Sequence, residues 1–330
     1  MAEAMHLLPP RPALKAATIA LAPVIVVAAA GWLLVGPLAA IGISLGVVAG
    51  STSATVKLPW RHRLLSCALC LAAAAGGLLA AAAPPTWSIV LGVLVVAATG
   101  LLQAPLNRWS SGMIVQAPLL AAISATTGSV VSQPLVALGA LAIGMVLVLV
   151  IAAVLGLQAP PTPAEPRIAL RHAVATAVSC GVALGIALAF QIDHGYWLVV
   201  TLALVLRPVR HETVPTARAR VAGTVVGVVI SVALVIVMPT AAVLMLAMAC
   251  VLLSIAWGIA ADVRGSTIFA TPAIILMASS GAAGAVVEFG LLRLVLTVIG
   301  ALVAALLAAL LYRADAPAAP GGGESSPVES

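Results

Sequence analysis

The chain has 330 residues, 63% of them hydrophobic and 7% charged, with a net charge of +6 and a pI near 9.8. Soluble domains carry roughly 25% charge, so 15 Lys/Arg and 9 Asp/Glu are too few to cover a chain of this size in water. A cytosolic enzyme, a nucleic-acid binder and a secreted disulfide scaffold are excluded, and the basic excess reads as a topology signal in a polytopic membrane protein.

Charge-free stretches, taken in chain order, set the number of crossings, since one crossing helix needs about 20 mostly apolar residues. Residues 16–56, 64–107 and 109–164 each hold two helices. Residues 172–192 hold one, and residues 194–206 hold a short one. Residues 221–261 hold two more, and 265–287 and 294–312 hold one each, giving twelve. The breaks inside the long stretches fall at Gly31–Pro37, Pro84–Thr86, Gly128–Pro134 and Met238–Thr240, where glycine and proline favour turns. The Pro-, Gly- and Ser-rich segment 314–330 lacks apolar periodicity and reads as a disordered cytoplasmic tail.

With the N-terminus in the cytoplasm, all of the 15 Lys and Arg except Arg293 fall on the cytoplasmic side. The positive-inside rule then places both termini there. The apolar run after Lys15 continues through Trp32 and Leu34, so it reads as an uncleaved first helix.

Three basic anchors recur at one spacing. Pro12–Lys15 is echoed by Ile168–Arg171 and Arg108 by Arg264, both 156 residues on, while Arg61–Arg63 is echoed by Arg218–Arg220 at 157. The predicted fold is therefore all-α, with about twelve transmembrane helices arranged as two parallel six-helix repeats, residues 1–157 and 158–313. Such a duplication places a candidate pathway between the halves, at short or broken helices. The eighth helix, from Tyr196 to Arg207-Pro208, is short, and Pro37–Gly50 is its expected counterpart. The fifth and eleventh helices are expected to carry mid-helix prolines beside polar residues: Gln116 and Pro118 after Ser110-Ser111, and Thr271 and Pro272. A mid-helix proline frees a carbonyl, which serves either as a packing kink or as part of a polar site.

One stretch carries a specific pattern. Tyr196-Trp197, then Thr201, then Arg207-Pro208, leads to Arg220-x-x-Gly223-Thr224-x-x-Gly227. This resembles the fusaric acid resistance-like (FUSC) family of bacterial inner-membrane proteins, related to aromatic carboxylic acid exporters and more distantly to plant malate channels. The resemblance covers about 35 residues explicitly. It implies a multi-pass protein of the bacterial inner membrane that exports small organic anions such as aromatic carboxylic acids. The first half lacks the pattern, having Trp32 and Lys57 instead, and the linker around Gln158–Arg167 leaves no room for the cytoplasmic domain that many family members carry.

Read from the residues, Tyr196 and Trp197 are interfacial anchors, or Trp197 with Thr201, on one helix face, lines a vestibule. Gly223 and Gly227 form a small-xxx-small face for close helix packing, and the Arg207–Arg220 loop contacts lipid headgroups. On the external side the ionisable residues are Asp193, His194, Glu288 and Arg293. Arg293, placed about one turn into the last helix, either pairs with Glu288 at the interface or anchors a substrate carboxylate. In the second case Glu288, or Asp193 with His194, handles protons. No catalytic constellation, metal-ligand spacing or nucleotide motif is present, and Cys67-x-x-Cys70 lies alone in an apolar helix, so neither an enzyme nor a cofactor is expected. Transport would then run on an ion gradient, a proton-coupled secondary exporter being favoured over a passive organic-anion channel or a non-transporting accessory subunit. Membrane lipid, the organic anion, and either a second copy of the chain or a periplasmic adaptor protein are the expected partners; nucleic acid is not.

Overall fold

The computed structural model describes residues 8–311 except 109–114, 129–130, 162, 209, 261 and 280–282. Ser110-Ser111 and the expected tail 314–330 lie outside the described residues. Proline starts many helices, because a missing N–H costs nothing at the first helical position. Pro37 opens α2 (Pro37–Thr55), Pro85 opens α4 (Pro85–Leu102), Pro134 opens α7 (Pro134–Val154) and Pro166 opens α8 (Pro166–Ala189). Around them run α1 (Arg11–Val35), α3 (Trp60–Ala81), the single turn α5 (Ala104–Asn107) and α6 (Gln116–Thr127). Then follow α9 (Tyr196–Val205), α10 (Arg210–Val237), α11 (Thr240–Ile259), α12 (Val263–Ala278) and α13 (Ala283–Leu311). Among the described residues eight helices are long and apolar enough to cross a membrane: α1, α2, α3, α4 together with α5, α7, α8, α10 and α13. The protein is an all-helical, multi-pass membrane protein.

Small residues let the helices approach closely, which is how helices associate where lipid removes the hydrophobic driving force. Gly42, Gly46 and Gly50 turn one face of α2 to α7, and Gly144 of α7 presses on the Ile43 carbonyl. A Cβ at either Gly46 or Gly144 would collide with backbone. Between α10 and α12, a Cβ on Gly227 would meet the Thr271 Cβ at 2.5 Å and the Ile268 oxygen at 2.9 Å. Ile268 is four residues before Pro272, so its carbonyl is the one the proline leaves without a helical donor. The neighbouring backbone covers that gap, and this mid-helix proline is a packing feature of the α10–α12 seam.

The principal pairings among the first helices are α2 with α7 and α3 with α6; among the later ones they are α10 with α12, α11 with α12 and α10 with α13, and α9 also packs on α13. Across the chain α1 meets α11 and α4 meets α8. The linker between α7 and α8 is pinned to the α2–α3 loop. Lys57 N–H donates to the Ala159 carbonyl and Ala159 N–H to that of Thr55, both at 2.8 Å, while Arg63 donates to the Gln158 side chain at 2.8 Å.

Four expectations need correction. The first-half partner of short α9 is not short: α2 has 19 residues against 10. Pro118 is the third residue of α6, in the turn where no N–H is needed, so it does not match Pro272, the tenth residue of α12. The Arg207–Arg220 segment is helical from Arg210, which puts Arg220 ten residues inside α10. Helix α13 begins at Ala283, so Arg293 lies ten residues in, almost three turns. The last two errors share a cause. Charged residues were read as helix boundaries, yet an arginine extends a helix well when its long stem can reach a partner or water.

The packing argument is tested on α7. Gly144→Leu is expected to cost more than about 3 kcal/mol by overpacking, seen as loss of folded protein or a strongly lowered melting temperature in detergent. Gly139→Leu, five residues away where a Cβ meets nothing within 4 Å, is expected to leave both unchanged.

Candidate functional site

The site forms where the α8–α9 turn meets α13. Gln191 and His194 in that turn have φ of 49° and 52°, a left-handed conformation uncommon outside glycine. The turn is held by Ile192 N–H to the Ala187 carbonyl at 2.9 Å and Gly195 N–H to the Ile192 carbonyl at 3.0 Å. A side chain at Gly195 would meet the Ala187 Cβ at 2.5 Å, so glycine is required for the tight return. The effect is to set Tyr196 and Trp197, the first residues of α9, against α13.

The Trp197 ring lies over Arg293, with the guanidinium carbon 3.9 Å from the ring centroid, a cation–π contact. Arg293 is 5% exposed and is, among the described residues, the one buried Lys, Arg, Asp or Glu. Ten residues into the 29-residue α13 places it about 15 Å along the axis of a helix long and apolar enough to cross a membrane. Its Nε and Nη1 are buried without a hydrogen-bond partner. Phe289, one turn earlier on α13, meets the His194 ring edge-to-face at 4.7 Å. His194 contacts Tyr196 edge-on at 6.0 Å, and Tyr196 packs obliquely on Trp197 at 5.1 Å. A chain of four rings thus runs from the α8–α9 turn to one buried cation. Thr297, one turn further along α13, is also buried.

The Glu288–Arg293 pair does not form. Glu288 is exposed on α13, five residues from Arg293 and so on a different face. Asp193 is exposed on the turn, and His194 faces Phe289 and Tyr196. Of the expected residues, His194, Tyr196, Trp197 and Arg293 come together. Thr201 is buried and packs on Gly300, whose Cβ would meet the Thr201 Cβ at 2.8 Å; it does not line a vestibule with Trp197. Thr271 and Pro272 are absorbed by the Gly227 seam, and Gln116 donates its amide N–H to the Thr52 hydroxyl on α2.

The rest of the expected motif has structural work. Thr213 is buried and accepts from the Arg207 backbone N–H at 3.1 Å, fixing the Arg207-Pro208 turn into α10. Burial lowers the Arg207 guanidinium pKa from its ordinary value, opposed by the Glu212 carboxylate. Gly223 and Gly227 form the α10 face against α12, with Gly223 on Thr267, and Thr224 between them is buried. Sequence reasoning passed over Phe289, although Phe289 and Arg293 are four apart on one helix face and the chain has only three phenylalanines. It also passed over buried Gln103 and His172. Gln103 accepts from the Ala117 N–H at 3.3 Å, and His172 Nε2 lies 3.4 Å from the Thr176 hydroxyl. Single polar residues inside apolar runs gave no periodic signal.

Residues 182–307 match the family described as fusaric acid resistance protein-like. That span contains the α8–α9 turn, α9, α10, α12 and the Arg293 segment of α13, hence every member of the aromatic chain. No curated protein and no solved structure gives a significant match to the chain.

A buried cation without a counter-charge is unfavourable for folding. Arg293→Met is therefore expected to raise the melting temperature by at least about 2 °C, the shift given by about 1 kcal/mol. A lowered melting temperature would mean that Arg293 holds the fold together.

Proposed function

Because the chain carries a fusaric acid resistance protein-like domain over residues 182–307, we propose that it is a secondary transporter of small organic anions, with Arg293 as the seat of the anionic group. The observation that carries this reading is the buried guanidinium with two unpartnered donor nitrogens beneath an aromatic face. An ionised group at this depth is retained for function more readily than for stability. A planar guanidinium suits a carboxylate, which it binds in bidentate fashion, and the ring of Phe289, one turn away on α13, suits an aromatic or aliphatic body attached to it. Aromatic carboxylic acids fit both demands.

The architecture we propose around this seat is a duplicated twelve-helix bundle in a bacterial inner membrane, both termini cytoplasmic. Its support is that the pairings of one half recur in the other, α2–α7 as α9–α13 and α3–α6 as α10–α12. The contacts α1–α11 and α4–α8 likewise exchange under the same duplication. Export driven by the proton gradient is the reading for energy coupling, with His194 as the titratable group on the external approach. A passive anion channel is the second reading, favoured by one observation: among the described residues no Asp or Glu is buried beside Arg293 to carry a proton inward.

Benzoate flux in proteoliposomes tests both. Wild-type protein is expected to move benzoate, and Arg293→Gln to lose at least about 10-fold in rate, as expected for charge-assisted hydrogen bonds of about 1.5–3 kcal/mol. Accumulation against a gradient when a pH difference is imposed supports coupling, whereas flux indifferent to that difference supports the channel. Full flux through Arg293→Gln would remove the anion seat.

A further inference from the structure

The two halves differ at one matching place. Gly144 on α7 presses on the Ile43 carbonyl of α2, while Gly300 on α13 packs on Thr201 and the Leu198 carbonyl of α9. Gly144 and Gly300 are 156 residues apart and the carbonyls they meet, Ile43 and Leu198, are 155 apart, so the two seams correspond to within one residue. In the first half the space beside the seam, between α2, α3, α6 and α7, is an open apolar groove whose lining includes Leu38, Ile41, Leu45, Ala137 and Leu141. The same offset carries Leu38 to His194, Ile41 to Trp197, Leu45 to Thr201, Ala137 to Arg293 and Leu141 to Thr297. Where the first half keeps an open groove, the second half holds an indole lying on a guanidinium.

We infer that Trp197 is a displaceable plug. Its ring fills the second-half counterpart of the groove and covers Arg293, and an arriving organic anion takes the guanidinium while its ring or chain takes the space that the indole leaves. This rests on the reading of Arg293 as the anion seat. Three observations support displacement. The indole Nε1 is buried without an acceptor in hydrogen-bonding geometry. The half-buried ring packs against the cluster that includes Val228, Ile275 and Phe289 and makes a cation–π contact of about 0.5–2 kcal/mol, the latter weaker than two charge-assisted hydrogen bonds from a carboxylate. Trp197 also follows directly on the turn with left-handed His194, and residues held in sparsely populated backbone regions cluster where conformations switch. The plug keeps lipid and small inorganic anions from an exposed cation, and it makes an apolar body on the substrate necessary for entry.

The test uses the full chain in proteoliposomes, with benzoate, the bulkier 2-naphthoate and chloride as probes. Trp197→Ala is expected to carry benzoate at least as fast as wild type and to relax discrimination against 2-naphthoate and chloride by about 10-fold or more. Trp197→Phe is expected to fall between. In protein labelled with 5-fluorotryptophan, the fluorine signal assigned to Trp197 by its absence in Trp197→Phe is expected to shift on adding benzoate. No shift is expected in Arg293→Gln. Trp197→Ala protein that melts like wild type yet moves no benzoate would overturn the plug, since the indole would then be part of the binding surface. Unchanged discrimination, or a fluorine signal that ignores benzoate in the wild type, would overturn it as well. Full benzoate flux through Arg293→Gln would instead overturn the anion seat itself, a separate failure.

Discussion

A buried guanidinium inside a membrane-crossing helix, with no buried carboxylate beside it among the described residues, is the constraint from which the rest of this protein follows. Charge in such a helix is costly on any scale, and Arg293 meets the cost without ion pairing. It lies under the Trp197 ring and leaves two nitrogens without acceptors. On the proposed reading a small anion supplies the missing acceptors and neutralises the charge at the same time.

The scaffold that holds this charge is made of small residues. With lipid on the outside, helix association depends on close van der Waals approach, and Gly46, Gly144, Gly223 and Gly227 bring backbones together at the α2–α7 and α10–α12 seams. A rigid seam next to the site matters because the turn before α9 is tight and its aromatic residues must arrive at one place on α13. The same offset that relates Gly144 to Gly300 relates apolar Ile41 and Ala137 to Trp197 and Arg293. On the proposed duplication the bundle is chemically one-sided, with Arg293 in one half where the other half has Ala137.

Composition and the spacing of charge disclosed the membrane class, and turn residues disclosed most helix starts. Pro37, Pro85, Pro134 and Pro166 each begin a helix, because proline is pre-organised for that position. The second-half family resemblance was visible because Tyr196-Trp197, Arg207-Pro208 and Gly223-Thr224 carry specific backbone and packing roles. Helix ends marked by charge were misread. Arg220 and Arg293 looked like boundaries, but each sits ten residues inside its helix. Of the candidate site, His194, Trp197 and Arg293 were identified, yet their mutual contact depends on the left-handed turn at Gln191 and His194, which no local pattern announces. The Glu288 pairing failed for a simple angular reason, since five residues along a helix point the two side chains apart.

Equilibrium binding of benzoate to the purified full-length protein, measured calorimetrically with stoichiometry, tests the central claim most directly. One benzoate per chain is expected, with binding lost in Arg293→Gln. Undiminished binding by Arg293→Gln, or two equivalent sites per chain, would contradict the account of a single buried guanidinium as the anion's seat.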